Sequence, residues 1–234
     1  MVQRRARGGQ AVDVLVTGGD TDLGRSVAEG FRDDGHKVTL VGARRSDLEI
    51  AAKELDVDAI VCDTTDPASL EEARGLFPHH LDTIVNVPAP TWDAGDPRAY
   101  STADTAAAWR HGLDATVLSL VLTVQTVGDH LRSGGAIISV VPESPAAGSA
   151  DAAIKAALSN WVAGQATAFG TRGITVNAVA SGRSVQAGYD GLSGTPPTVA
   201  AEVARLARFL TTPAARHITG QTLHVSRGAL SHFA

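Results

Sequence analysis

Two short stretches of the chain carry side chains able to do chemistry. Asp151 and Lys155 lie four residues apart at the head of an apolar helical segment, which brings a carboxylate and an amine onto one helix face. Such groups can move protons if one reaches the reacting atom with a suitable pKa. Their plainer role is structural: an aspartate in a first turn complements the helix dipole, and with Lys155 at i+4 it forms a pair worth about 0.2–0.5 kcal/mol. Ser144 and Ser149, in the Pro/Gly/Ala-rich stretch just before, are candidate hydroxyls, although serines in such loops are usually turn or cap residues. Tyr189 is either an exposed loop aromatic or a lid residue that swings over a site. The second stretch, Thr17-Gly18-Gly19-Asp20-Thr21-Asp22-Leu23-Gly24, leads from a β-branched run into a helical pattern. A glycine-rich turn there lets backbone approach a pyrophosphate closely and aims helix N–H groups at it. A tight structural turn needs the same residues.

Other chemistries find less support. His79-His80 is the only close histidine pair, and side chains at i and i+1 diverge, so no metal is expected. Cys62 stands alone in an apolar run, which excludes an intramolecular disulfide and fits a reducing, cytoplasmic location without marking a nucleophile. The net charge is −5, and the first ten residues contribute only arginines, so the rest of the chain is more acidic still and a poor partner for nucleic acid. Residues 1–10 read as a flexible basic tail with no signal-peptide pattern behind it. The apolar stretch Val117 to Val124 is far too short to span a bilayer, so no membrane is expected.

The elements that must position these residues follow from periodicity. Val12–Thr17, Lys37–Gly42, Ala59–Cys62, Thr83–Val87, Ala136–Val141, Ile174–Val179 and Thr222–Val225 read as strands. Between them lie helical patterns such as Leu23, Val27 and Phe31, closed by Gly35. Strands alternating with helices predict an α/β fold: one doubly wound, Rossmann-like domain over residues 11–234, with a seven-stranded parallel sheet flanked by helices on both faces. The longest loop-like stretches, Pro88 to Tyr100 and Ser181 to Pro197, emerge at the carboxyl ends of strands, where ligands of such sheets bind.

In this frame the glycine turn resembles the TGxxxGxG fingerprint of the short-chain dehydrogenase/reductase family, with Asp22 where the middle glycine belongs. The resemblance runs on in order along almost the whole chain. Asp63, followed by Thr64, matches the family's adenine-contacting acid, and Asn86-Val87-Pro88-Ala89 occupies the slot of its NNAG strand end. Gly173 to Gly182 resembles GIRVNxVxPG with Ser181 for the proline, and Ile218-Thr219-Gly220-Gln221 resembles the ITGQ close, with Ser226-Arg227-Gly228 replacing DGG. The resemblance implies a nicotinamide dinucleotide held by Thr17, Gly18, Asp20, Thr21, Asp22, Leu23, Gly24, Asp63, Thr64, Asn86 and Lys155. Family members preferring NAD end the second strand on an acid, whereas NADP users carry arginine there or one step on. Gly42-Ala43-Arg44-Arg45 has no acid, so NADP(H) is favoured over NAD(H), with Arg44 or Arg45 on the 2′-phosphate. Asp20 and Asp22 oppose any pyrophosphate by like charge, weakening or abolishing binding.

The family's carbonyl reductases use an Asn-Ser-Tyr-Lys tetrad. Thr116 takes the asparagine position, Pro142 the serine and Asp151 the tyrosine, and Lys155 alone is retained. Asp151 is shorter than a phenol and, ionised beside a lysine, cannot donate a proton at neutral pH. Two readings follow. One is an NAD(P)-dependent oxidoreductase acting on a carbonyl, an alcohol or a quinone-like acceptor that needs no protein proton donor. The other is a non-catalytic relative, acting as a dinucleotide sensor or a structural partner. The helices holding Thr116 and Lys155 are apolar on more than one side, and in the family they pair with symmetry mates, which implies a homodimer or homotetramer.

Overall fold

The computed structural model describes residues 11–89, 100–141, 150–181 and 199–225. Four candidates from the sequence, Pro142, Ser144, Ser149 and Tyr189, lie outside the described residues, as do the basic tail and Ser226 to Gly228.

Seven parallel strands form one sheet in the order β3-β2-β1-β4-β5-β6-β7. The strands are β1 (Asp13–Val16), β2 (Lys37–Gly42), β3 (Asp58–Val61), β4 (Leu81–Asn86), β5 (Leu131–Val141), β6 (Thr175–Ser181) and β7 (Thr222–Val225). The helices are α1 (Asp22–Asp33), α2 (Arg45–Leu55), α3 (Pro67–Ala73), α4 (Thr102–Leu113), α5 (Ser119–Val127), α6 (Ala150–Gly170) and α7 (Val199–Leu210). This is the doubly wound, Rossmann-like architecture expected from the alternating pattern. Only β5 departs substantially, starting five residues early: Leu81 pairs with Leu131 before a register shift, so sheet pairing carries a glycine-containing stretch that lacks strand character.

Because both faces of a parallel sheet are covered, its strands are apolar on both sides. Along β1, Val14 and Val16 point into one core with Phe31, Leu48 and Val203, while Leu15 points into the other with Leu120, Leu158 and Val176. Helices α1, α2 and α7 cover the first face, and α3, α5 and α6 the second. Among the described residues no helix is long and apolar enough to cross a membrane.

Helices α4 and α5 form one rod interrupted at Asp114–Leu118 by a π turn, whose Ala115 and Thr116 are buried. A capping box opens the rod: the Ser101 hydroxyl accepts from the Asp104 N–H, and the Asp104 carboxylate accepts from the Ser101 N–H.

The sheet order reverses direction between β1 and β4, where the two carboxyl ends part company with their following helices on opposite faces. Thr17, which is 1% exposed, ties this junction: its hydroxyl donates to Asn86 Oδ1 (3.0 Å) and accepts from the Val87 N–H (3.0 Å). Thr17→Val keeps the shape but strands a buried N–H and a buried carboxamide oxygen. It should therefore cost about 1–3 kcal/mol. In urea unfolding the midpoint should fall with an unchanged slope, and a midpoint within error of the parent would show the tie to be dispensable.

Candidate functional site

The glycine turn is built by its own side chains. Thr21 caps α1, its hydroxyl accepting from the Gly24 N–H (3.0 Å) and donating to the Gly18 carbonyl (2.7 Å). Gly18 takes φ +63°, and a Cβ there would stand 2.5 Å from the Val87 carbonyl oxygen, so the turn lies directly on the end of β4. A Cβ at Gly24 would fall on the Gly18 carbonyl. The turn thus has two of the places where the family pattern calls for glycine occupied for steric reasons. With Thr21 engaged on Gly24, the N–H groups of Asp22 and Leu23 at the head of α1 keep no partner among the described residues, and they are the donors a pyrophosphate would take. Asn86 adds a buried Nδ2 with no partner at the end of β4. These groups fit a dinucleotide.

The acids of the turn do not lie as the sequence suggests. Asp22 is exposed at the first position of α1. Asp20 turns away from the helix terminus toward the end of β2, where its Oδ2 accepts from the Arg44 N–H and the Arg44 Nε, both at 3.1 Å. The expected repulsion of a pyrophosphate by two adjacent carboxylates is corrected accordingly: one of the two points elsewhere. The arginines expected on a 2′-phosphate are also engaged. Arg44 is held by Asp20 and, at 2.6 Å, by Asp47, and Arg45 pairs with Glu49 at 3.3 Å.

Around this corner Gly18, Asp20, Gly42, Asp63, Thr64 and Val87 line one crevice, with Ala115 of the π turn at its far wall. Asp63 is fixed by its own loop, its Oδ1 accepting from the Thr65 N–H (2.9 Å) and hydroxyl (2.7 Å). Cys62 borders the crevice too, but burial pushes its thiol pKa up, which keeps it a thiol rather than a nucleophilic thiolate.

Lys155 sits on α6, which packs against the π turn carrying Ala115 and Thr116. Its amine is partly buried, and desolvation lowers its pKa. Asp151 stands one turn earlier, but the two form no ion pair among the described residues, correcting the i+4 pair expected from their spacing. The neighbour Lys155 does find is His224 on β7, whose pKa is lowered first by burial and then by the lysine's positive charge. His224 was not singled out from the sequence, because nothing in its local pattern links it to a helix about 70 residues away. The structure therefore brings together Thr17, Gly18, Asp20, Thr21, Asp22, Leu23, Gly24, Asp63, Thr64 and Asn86 at the sheet's switch point, with Lys155 on the adjoining helix. It leaves Arg45 outside, on the exposed face of α2. Among the described residues no group of His, Cys, Asp and Glu could hold a metal ion.

Comparisons with known proteins agree with this fold. The family described as Enoyl-(Acyl carrier protein) reductase matches residues 19–229. A protein of Mycobacterium tuberculosis, whose name assigns it provisionally to the oxidoreductases, is 81% identical over 222 residues, covering 95% of this chain and all of that protein. The 3-oxoacyl-[acyl-carrier-protein] reductase of Staphylococcus aureus is 30% identical over 242 residues, covering 92% of this chain and 96% of its own. Among solved structures, a hydroxysteroid dehydrogenase from Escherichia coli superposes with a TM-score of 0.75 at 25% identity, covering 93% of this chain and 96% of that one.

Since burial disfavours the ammonium form, the Lys155 amine should lose its proton at a lower pH than an ordinary lysine. A 13C-detected titration of the lysine side chains checks this. A Lys155 midpoint at or above the usual value near 10.4 would contradict the desolvation described here.

Proposed function

The chain belongs to the short-chain dehydrogenase/reductase family, and from that premise we propose that it is an NAD(P)-dependent oxidoreductase working at the crevice between β1 and β4. The observation that carries the proposal is the turn at the head of α1: two N–H groups, those of Asp22 and Leu23, without a partner among the described residues, beside a glycine that lets the chain lie on Val87. The dinucleotide would supply the hydride. Thr17 and Gly18 hold the turn in place; Asp63 and Thr64 would border the adenosine end of the dinucleotide, and Lys155 would donate from its amine to the ribose on the nicotinamide side. Lys155 is the one member of the family's tetrad this sequence retains, with Thr116, Pro142 and Asp151 at the other three positions. A carboxylate at residue 151 cannot give a proton to a carbonyl oxygen as a phenol does. The reading therefore favours an acceptor that takes hydride and draws its proton from water, such as a quinone-like compound, over a simple ketone.

Pairing with a second copy accompanies the same reading. Trp109, Leu113 and Leu118 are 39%, 39% and 38% exposed along one rod, and Trp161 and Phe169 of α6 border a shallow cleft with Val121 and Val124 of α5. A surface this apolar is covered when two such rods meet.

Calorimetric titration with NADH and NADPH, followed by turnover assays with carbonyl and quinone acceptors, tests the function. Micromolar binding of at least one dinucleotide is expected, and Lys155→Ala should weaken it about tenfold or more, the loss of one charged hydrogen bond. Binding of neither would remove hydride transfer and leave an interaction role. Leu118→Glu should convert dimers or tetramers to monomers in sedimentation velocity, and a monomeric parent protein would end the pairing proposal.

A further inference from the structure

Asp20, expected at the pyrophosphate, instead reaches across to the end of β2, and this placement has a chemical meaning. Strand β2 ends at Gly42, which contributes no side chain. The space a side chain would fill is taken by Asp20 reaching across from the glycine turn: a Cβ at Gly42 would stand 2.6 Å from Asp20 Oδ1. The carboxylate is held rigidly. Oδ2 accepts from the Arg44 backbone and from its Nε, and the guanidinium also bonds the Asp20 carbonyl. The Asp20 side chain is 9% exposed, against 55% for Arg44. Oδ1 has no hydrogen-bond partner among the described residues and lies in the crevice lined by Gly18, Gly42, Ala43 and Asp63.

We propose that Asp20 selects the cofactor's adenosine ribose: from the glycine turn it supplies the acid missing from the end of β2, accepts the ribose hydroxyls, and makes the site one for NAD(H) rather than NADP(H). This rests on the dinucleotide reading above. A carboxylate accepts hydrogen bonds and cannot donate them, so it matches a 2′,3′-diol and has nothing to offer a phosphate. A 2′-phosphate would also bring a second negative group against an anchored carboxylate, with Asp63 in the same wall. Arg44 could turn to that phosphate only by releasing both Asp20 and Asp47, which would leave the Asp20 carboxylate with the Arg44 backbone N–H alone. Arg45 is occupied by Glu49 on the outer face of α2. Attraction for the diol and repulsion of the phosphate come from one side chain, and selectivity is set by that difference. The expectation of NADP(H) from Arg44 and Arg45 is revised for this reason.

The test is binding of NADH and NADPH to the full chain by calorimetry, with ADP-ribose and its 2′-phosphorylated form as fragments without a reactive ring. The parent protein should bind NADH and ADP-ribose at least about tenfold more tightly than their 2′-phosphates, the scale of a charged hydrogen bond gained or lost. Asp20→Asn, which keeps the shape and an acceptor for Arg44, should weaken NADH binding, and Asp20→Ser should narrow or invert the ratio. Thermal melting of both variants verifies that they fold, and the parent's ratio stands without them. Equal or reversed preference in the parent overturns the inference and leaves the dinucleotide reading intact. A ratio unmoved in both variants removes Asp20 from selection. Binding of no dinucleotide by the parent overturns the underlying reading, and the inference with it.

Discussion

Everything at the functional end of this molecule depends on how two parallel strands part. β1 and β4 run side by side, then send their chains to opposite faces of the sheet, and the gap this opens would weaken both strand ends if nothing bridged it. Thr17 bridges it with one hydroxyl that serves as donor to Asn86 and acceptor from Val87, while Gly18 presses its backbone against the Val87 carbonyl. The crevice is thus narrow and closed at its floor by protein. It opens at the carboxyl ends of the strands, beside the head of α1, whose Asp22 and Leu23 N–H groups keep no partner among the described residues. The side chains of Asp20, Asp63 and Thr64 stand on loops at that floor, Asp63 fixed by its bonds to Thr65 and Asp20 by Arg44, so the site joins the rigidity of the sheet to short, internally bonded loops.

The fold was readable from the chain because burial on both faces forces strands to be apolar throughout. Runs such as Val38 to Val41 and Ile84 to Val87 therefore stand out against the amphipathic helices between them. Strand β2 and strand β7 match their expected bounds residue for residue. The start of β5 is hidden in the sequence because Gly134 and Gly135 carry no strand preference, and its early pairing with β4 is a tertiary effect. The glycine turn was equally plain, since close backbone approach leaves a compositional mark.

The charged residues around the turn were far less readable. Whether Asp20 faces the head of α1 or the end of β2 depends on a contact across 24 positions, and no local pattern encodes that choice. Once it is made, Arg44 follows, and the pair of arginines that suggested a phosphate becomes part of an acid-base cluster with Asp47 and Glu49. Asp151 and Lys155 show the converse: ideal helical spacing made an ion pair the natural expectation, but Lys155 is drawn into partial burial beside β7. Spacing reports which side chains can meet; burial decides which do.

The π turn at Asp114–Leu118 leaves a different kind of mark. It accommodates one residue more than a regular helical turn, which rotates everything beyond it by about 100° about the rod axis. The two halves of the rod can thus serve separate neighbours: Trp109 and Leu113 open to solvent before the turn, Leu120 and Val124 in the core under the sheet after it. A chain shorter by one residue here could run as an unbroken α-helix with every hydrogen bond regular, yet it would swing the first half away from α6 and carry Ala115 out of the crevice wall. At this point the length of the chain, counted to a single residue, is itself under physical constraint, whatever the identity of the residue removed.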